Sequence, residues 1–243
     1  MTKLVPQLRS QYGTSPVPRI IENLVKEFGD RIALASSLGA EDQVLTDLLL
    51  KANPQARIFV LDTGRLPQET YATISATMSH YQFHYEIYCP DAAALEQLQR
   101  EFGPDLFYES VALRQHCCRI RKLEPLQRVL QTVDLWITGL RREQGVTRVD
   151  TEVFEWDETN QLIKVNPLAD WTTEQVWQYL KANGVPYNAL HDQGYPSIGC
   201  APCTRAVQPG EDLRAGRWWW ETPEHKECGL HFRDGKRIRA RQT

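Results

Sequence analysis

Between Ile20 and Thr138, short apolar runs that end in small polar residues alternate with helical patterns, and this alternation constrains the fold more than any other feature. Arg31-Ile-Ala-Leu-Ala-Ser-Ser, Arg57-Ile-Phe-Val-Leu-Asp62, Phe83 to Tyr88 and Asp134-Leu-Trp-Ile-Thr138 read as strands. Ile20 to Phe28, Glu41 to Leu50, Pro67 to Ser79, Ala92 to Phe102 and Cys118 to Leu130 read as helices, with Pro67 at a permitted first-turn position. Strands that alternate with helices imply βαβ units. The expected class is α/β: an open, mostly parallel sheet flanked by helices. After Gly139 the pattern changes. Val153-Phe-Glu-Trp and Leu162-Ile-Lys-Val predict two short strands, as in a hairpin, and Thr172 to Ala182 predicts one more helix. Residues 1–18 read as a flexible lead-in, 19–205 as the α/β body and 206–243 as a mobile, irregular C-terminal segment.

Composition narrows the function. The formal net charge of −3 argues against general nucleic-acid coating. No apolar run is long enough to span a bilayer, and the first residues, Met-Thr-Lys-Leu-Val-Pro-Gln, lack an apolar signal core. A cytoplasmic location is the expectation. Thiols stay reduced there, so paired cysteines are read first as metal or redox sites.

Three strand ends carry polar, glycine-containing loops: Ser36-Ser-Leu-Gly-Ala-Glu-Asp-Gln43, Leu61-Asp-Thr-Gly-Arg65 and Thr138-Gly-Leu-Arg-Arg-Glu-Gln144. In an open parallel sheet, ligands bind beyond the carboxyl ends of the strands. Backbone N–H groups at the start of a helix, approached over small residues, suit a phosphate. Neither a Walker A loop nor GxGxxG is present, and the first loop alone is equally an ordinary capped turn. Arg141 and Arg142 are either solvated or suited to an anion, since guanidinium pairs its donors on phosphate or sulfate oxygens.

Four of six cysteines form two pairs, Cys117-Cys118 and Cys200-x-x-Cys203. The second pair alone admits a zinc half-site, a redox dithiol or an iron–sulfur half-site. Zinc–sulfur bonds near 2.3 Å put sulfurs roughly 3.8 Å apart. Adjacent helical residues point about 100° apart and meet that spacing awkwardly. A cubane cluster offers corners spaced more widely, which places iron–sulfur ahead of zinc. An inert core thiol is the bland alternative, and Cys89 fits it best. Arg119 is expected on an exposed helix face. Cys228 stands apart in Glu-Cys-Gly-Leu-His, with His231 and several cations nearby, a setting that lowers a thiol's pKa and attracts anions. His231 has two readings, base or turn cap. Arg214 and Arg217, at i and i+3, share a face if their segment is helical. Trp218, Trp219 and Trp220 are expected to pack that segment down.

Taken together, Ser-Ser-Leu-Gly-Ala-Glu-Asp, Leu-Asp-Thr-Gly, Cys-Cys-Arg-Ile-Arg-Lys, Gly-Leu-Arg-Arg-Glu-Gln, Ser-Ile-Gly-Cys-Ala-Pro-Cys-Thr, Arg-Ala-Gly-Arg-Trp-Trp-Trp-Glu and Glu-Cys-Gly-Leu-His resemble the assimilatory adenylyl-sulfate (APS) reductases, relatives of the PAPS reductases. The resemblance runs from about Ile20 to His231 and implies an adenine-nucleotide alpha-hydrolase-like fold. It implies a [4Fe–4S] cluster on Cys117, Cys118, Cys200 and Cys203, and Lys122 between cluster and substrate. Ser36, Ser37 and Gly39 would line the nucleotide site, and Arg141, Arg214 and Arg217 would hold the phosphosulfate. Cys228 is the implied nucleophile. The implied reaction is thioredoxin-dependent reduction of adenylyl sulfate to sulfite and AMP through an S-sulfocysteine, in a self-associating enzyme. PAPS reduction is the nearest alternative; PAPS-specific relatives typically lack both cysteine pairs. An ATP pyrophosphatase-type adenylating enzyme would show Ser-Gly-Gly-x-Asp-Ser at the first strand end, which this chain lacks. A zinc-stabilised nucleotide-binding or redox-sensing module is the non-enzymatic alternative.

Overall fold

The computed structural model describes residues 2–145 and 148–222. Six strands form one sheet: β1 (Ile32–Ser36), β2 (Arg57–Leu61), β3 (Glu86–Tyr88), β4 (Leu135–Ile137), β5 (Phe154–Asp157) and β6 (Leu162–Val165), in spatial order β3-β2-β1-β4-β6-β5. Every neighbouring pair is parallel except β5 with β6, the expected hairpin, whose β6 also pairs in parallel with β4 (Leu135 opposite Ile163). The order reverses at β1, so the crevice beyond its carboxyl end, between β1 and β4, is the switch point where such sheets bind ligands.

Alternate residues on the strands serve opposite faces. Leu34, Ile58, Val60, Leu135 and Ile137 pack against α2 (Val17–Phe28), α3 (Ala40–Ala52) and α8 (Thr173–Asn183). Ala33, Phe59 and Trp136 face the other way, against Leu126, Val129 and Leu130 of α7 (Glu124–Leu130). A third cluster joins Leu98 of α5 (Ala92–Phe102) to Phe107, Ile120 and Trp218, with Cys117 and Cys203 within it. The remaining helices are α1 (Leu4–Tyr12), α4 (Gln68–Tyr81) and α6 (Val111–Cys118). Among the described residues no helix is long and apolar enough to cross a membrane.

Two stretches depart from the sequence reading. The lead-in contains α1, whose Val5 and Leu8 are buried and whose Arg9 Nε donates to the Phe154 carbonyl at 2.7 Å, covering the edge strand β5. The helix expected over Cys118 to Leu130 is three pieces: α6, a π-helical turn over Arg119–Leu123, and α7. Pro125 gives the reason. It has no N–H for the carbonyl four residues back, so the ladder widens before it. This π turn begins directly after Cys118.

Candidate functional site

The loop after β1 doubles back over the start of α3. Leu38 is fully buried yet sits at φ 63°, a left-handed conformation that costs a non-glycine residue energy. Its N–H donates to Ser36 Oγ at 3.2 Å. Asp42, in the first turn of α3, accepts from both the N–H and the hydroxyl of Ser37 at 2.6 Å each. Burial pushes the Asp42 carboxyl up to about 6, with the Ser37 bonds pulling the other way. Gly139, after β4, lies so close that a Cβ there would sit 2.3 Å from Asp42 Oδ1. Asp42 therefore draws the β1 and β4 loops together. Around them is a cavity of about 250 Å³, lined by Ser36, Ser37, Gly39, Lys122, Arg141, Arg214 and Arg217 among others.

The arginines in this wall differ. Arg141 is 3% exposed and bonded to Glu41, Glu143, Thr173 and the Trp171 carbonyl. Arg217 donates to the Ile198 carbonyl at 3.1 Å and stacks 4.6 Å from the Trp218 ring centre. It lies against Gly199, where a Cβ would come within 2.3 Å of Nη2, so a side chain before Cys200 would push the guanidinium aside. The Arg214 to Arg217 segment is not helical. It is a run of turns closed by a bridge between Thr204 and Arg217, which ties it to the Cys200 loop.

The four paired cysteines line a second, smaller cavity of about 20 Å³ together with Arg65, Arg114, Arg121 and Lys122. Cys117 and Cys118 end α6, and Cys200 leads into the single 3-10 turn Ala201–Cys203. Thr63 Oγ1 is 3.2 Å from Cys200 Sγ, and Arg121 Nη1 donates to the Thr63 carbonyl at 2.6 Å. The Arg65 carbonyl accepts from the Ala201 N–H at 2.8 Å. The Asp-Thr-Gly-Arg loop after β2, expected at the nucleotide crevice, thus places Thr63 and Arg65 at the cysteines. Burial pushes the Cys117 thiol up and Cys203 to about 12. Among the described residues no three His, Cys, Asp or Glu side chains converge on a single ion position.

Residues 31–206, more than half of the chain, match the phosphoadenosine phosphosulfate reductase domain family. The chain belongs to that family. An adenosine 5'-phosphosulfate reductase of Allochromatium vinosum is 56% identical over 84% of this chain and 80% of its own length. Another, of Burkholderia cepacia, is 49% identical over 95% and 91%. A phosphoadenylyl-sulfate reductase from Candida auris, solved as a phosphate complex, superposes with a TM-score of 0.73 at 27% identity, covering 85% of this chain and 98% of that one. Yeast FAD synthetase, 12% identical with a TM-score of 0.54, shares the fold alone.

Within this reductase-family fold, Ser36, Ser37, Gly39, Lys122, Arg141, Arg214 and Arg217 come together at the larger cavity, and the four paired cysteines at the smaller one. Lys122 is common to both walls. Cys228 and His231 lie outside the described residues. Cys89 is exposed, not in the core, because it follows β3 at the edge of the sheet. Arg119 is exposed as expected, paired with Glu124. Trp218 is buried and Trp220 packs on the third cluster, while Trp219 is 40% exposed. Three further cavity residues are not among the expected site residues, although two of them stand in the quoted motifs. Asp42 reads as a routine first-turn acid, Gln144 as loop, and Arg148 as one more cation in an irregular stretch.

Proposed function

We propose that this chain reduces adenylyl sulfate to sulfite and AMP, taking two electrons from a dithiol carrier of the thioredoxin type, as a step of sulfate assimilation. The observation that carries the reading is the place of Lys122, whose side chain stands in the wall of both the Ser37–Arg217 cavity and the four-cysteine cavity.

The cysteine cavity suits an iron–sulfur centre in its donor set. Four cysteines from two segments line one cavity with Phe107, and Trp218 packs in the same apolar cluster. Arg65, Arg114, Arg121 and Lys122 bring the positive charge that a thiolate-ligated centre calls for. Cys117, Cys118, Cys200 and Cys203 would hold a [4Fe–4S] cluster, with proton release as the buried thiols ionise. When bound it supplies a fixed charge beside Lys122, because the carrier dithiol already brings both electrons.

The chain's own residues then act as follows. The Ser36–Gly39 loop and the start of α3 receive the nucleotide, and Arg214 and Arg217 face its anionic end. The Cys228 thiolate attacks the sulfonyl sulfur. A sulfur–sulfur bond forms, the sulfur–oxygen bond breaks, and its electron pair leaves on the phosphate of AMP. Lys122 and the arginines offset the charge that moves in this step. His231 is the candidate base for the thiol. A carrier thiolate next attacks Cys228 Sγ and sulfite departs with the bonding pair. The second carrier thiol frees Cys228, and the carrier leaves as a disulfide. Sulfur goes from +6 to +4 as two thiols become one disulfide.

The Candida auris neighbour keeps PAPS as the second reading. Anaerobic purification, iron and acid-labile sulfide analysis, and initial rates with APS and PAPS test both. Brown protein that prefers APS is expected. A strong preference for PAPS overturns the substrate, and colourless protein with one zinc overturns the cluster.

A further inference from the structure

Arg141 has five N–H donors in a planar fork, and four of them make hydrogen bonds within the protein. Nε donates to Glu41 Oε1 at 2.9 Å, and Nη2 lies 2.8 Å from the same oxygen as an ion pair. Nη1 donates to Glu143 Oε2 at 2.9 Å and to the Trp171 carbonyl at 3.0 Å. Nη2 donates to Thr173 Oγ1 at 3.2 Å. The guanidinium is 3% exposed, and its one positive charge faces two carboxylates. The fork is thus turned onto protein acceptors, and its charge is already paired with two carboxylates. An incoming phosphate or sulfonate would have to displace Glu41 or Glu143 and leave a carboxylate without its cation.

The partners show what the fork does hold. Glu41 opens α3 and adjoins Asp42, which anchors Ser37 and packs on Gly139. Glu143 belongs to the loop after β4. Thr173 opens α8 and Trp171 lies just before its cap Thr172; the Thr173 N–H and hydroxyl both donate to Glu143 at 2.6 and 2.8 Å. Three elements that wall the nucleotide cavity are thus fastened at one buried cation. We propose that Arg141 is a positioning residue, which braces α3, the β4 loop and α8 around the nucleotide without touching its anionic end. This rests on the reading that the larger cavity binds adenylyl sulfate.

The test is calorimetric binding of adenosine, AMP and adenylyl sulfate to the iron-loaded full chain and to Arg141→Met and Glu41→Gln. A brace lost from the nucleoside pocket weakens all three ligands by a similar factor, about ten-fold, so the ratio of AMP to adenosine affinity stays within about two-fold of wild type. Glu41→Gln repeats that pattern, and its effect does not add to that of Arg141→Met in the double variant. If Arg141 grips the anion, Arg141→Met weakens AMP and adenylyl sulfate and spares adenosine. Glu41→Gln, by freeing the guanidinium, then tightens both anionic ligands. That result overturns the proposal, as does unchanged binding of all three. Glu41→Gln conserves size and gives the answer even if Arg141→Met does not fold. Wild-type protein that binds none of the three ligands defeats the functional reading itself, and the positioning role with it.

Discussion

The guanidinium of Arg114 and the carboxylate of Glu221, 107 residues apart, form a two-pronged ion pair at 2.9 and 2.7 Å with side chains 0% and 3% exposed. Arg114 lies one turn before the tandem cysteines on α6 and within hydrogen-bonding reach of Cys118. Glu221 follows the three tryptophans. Between them, Trp218 carries Arg114 and Arg217 with guanidinium carbons each 4.6 Å from its ring centre. The pair fastens the segment that leads toward Cys228 onto the helix that carries two of the candidate cluster ligands.

Breaking that pair leaves a buried charge without its partner, a loss of about 3–5 kcal/mol. Glu221→Gln should lower stability to urea by that order and shift tryptophan fluorescence to the red. Replacing both members, Arg114→Met with Glu221→Leu, should recover part of the loss. An unchanged unfolding midpoint in Glu221→Gln contradicts the assignment.

Gly139→Ala places a methyl carbon against Asp42 Oδ1 and Glu41 Cβ, at 2.3 and 2.9 Å before relaxation. Overpacking of this kind costs about 1–3 kcal/mol. Because the clash falls where the β1 and β4 loops meet, AMP affinity should fall along with stability. A variant that binds AMP as wild type does would show that the two loops need not approach so closely.

Asp42 gives a pH dependence with a definite sign. Its carboxyl is raised from 3.8 to about 6, chiefly by burial, so the folded chain holds this proton more tightly than the unfolded chain. Its contribution is fully present below about pH 4 and is lost as pH rises through 6, a change of about 3 kcal/mol. The difference in unfolding free energy between wild type and Asp42→Asn should therefore decline between pH 4 and 6.5. Parallel curves across that window contradict a raised Asp42.

Much of this architecture is legible in the chain. Parallel strands covered on both faces read as continuous apolar runs, as Ile58-Phe59-Val60 does, and their polar ends mark the crevice. Cysteine pairing is equally plain, since both pairs are local in sequence. The π turn has a signal, Pro125, but it is easily passed over inside a strong helical pattern. Helix α1 has almost none, because only Val5 and Leu8 are buried and its docking depends on β5, far along the chain. The partners of Arg141 are likewise invisible in the sequence. A guanidinium in a Gly-Leu-Arg-Arg motif reads as an anion ligand, and nothing local in sequence announces its pairing with Glu41, one hundred residues earlier. Asp42 fails for a related reason: burial, not spacing, sets it apart.

The proposed reaction divides the sulfurs, four for the metal centre and Cys228 for the substrate. Incubating anaerobically purified protein with adenylyl sulfate labelled at sulfur, followed by peptide mapping, tests it most directly. Label is expected on the peptide that carries Cys228, released as sulfite by reduced thioredoxin. Cys228→Ser should take up no label yet retain its iron and colour. Label on Cys117, Cys118, Cys200 or Cys203, or a Cys228→Ser protein that still yields sulfite, would contradict it.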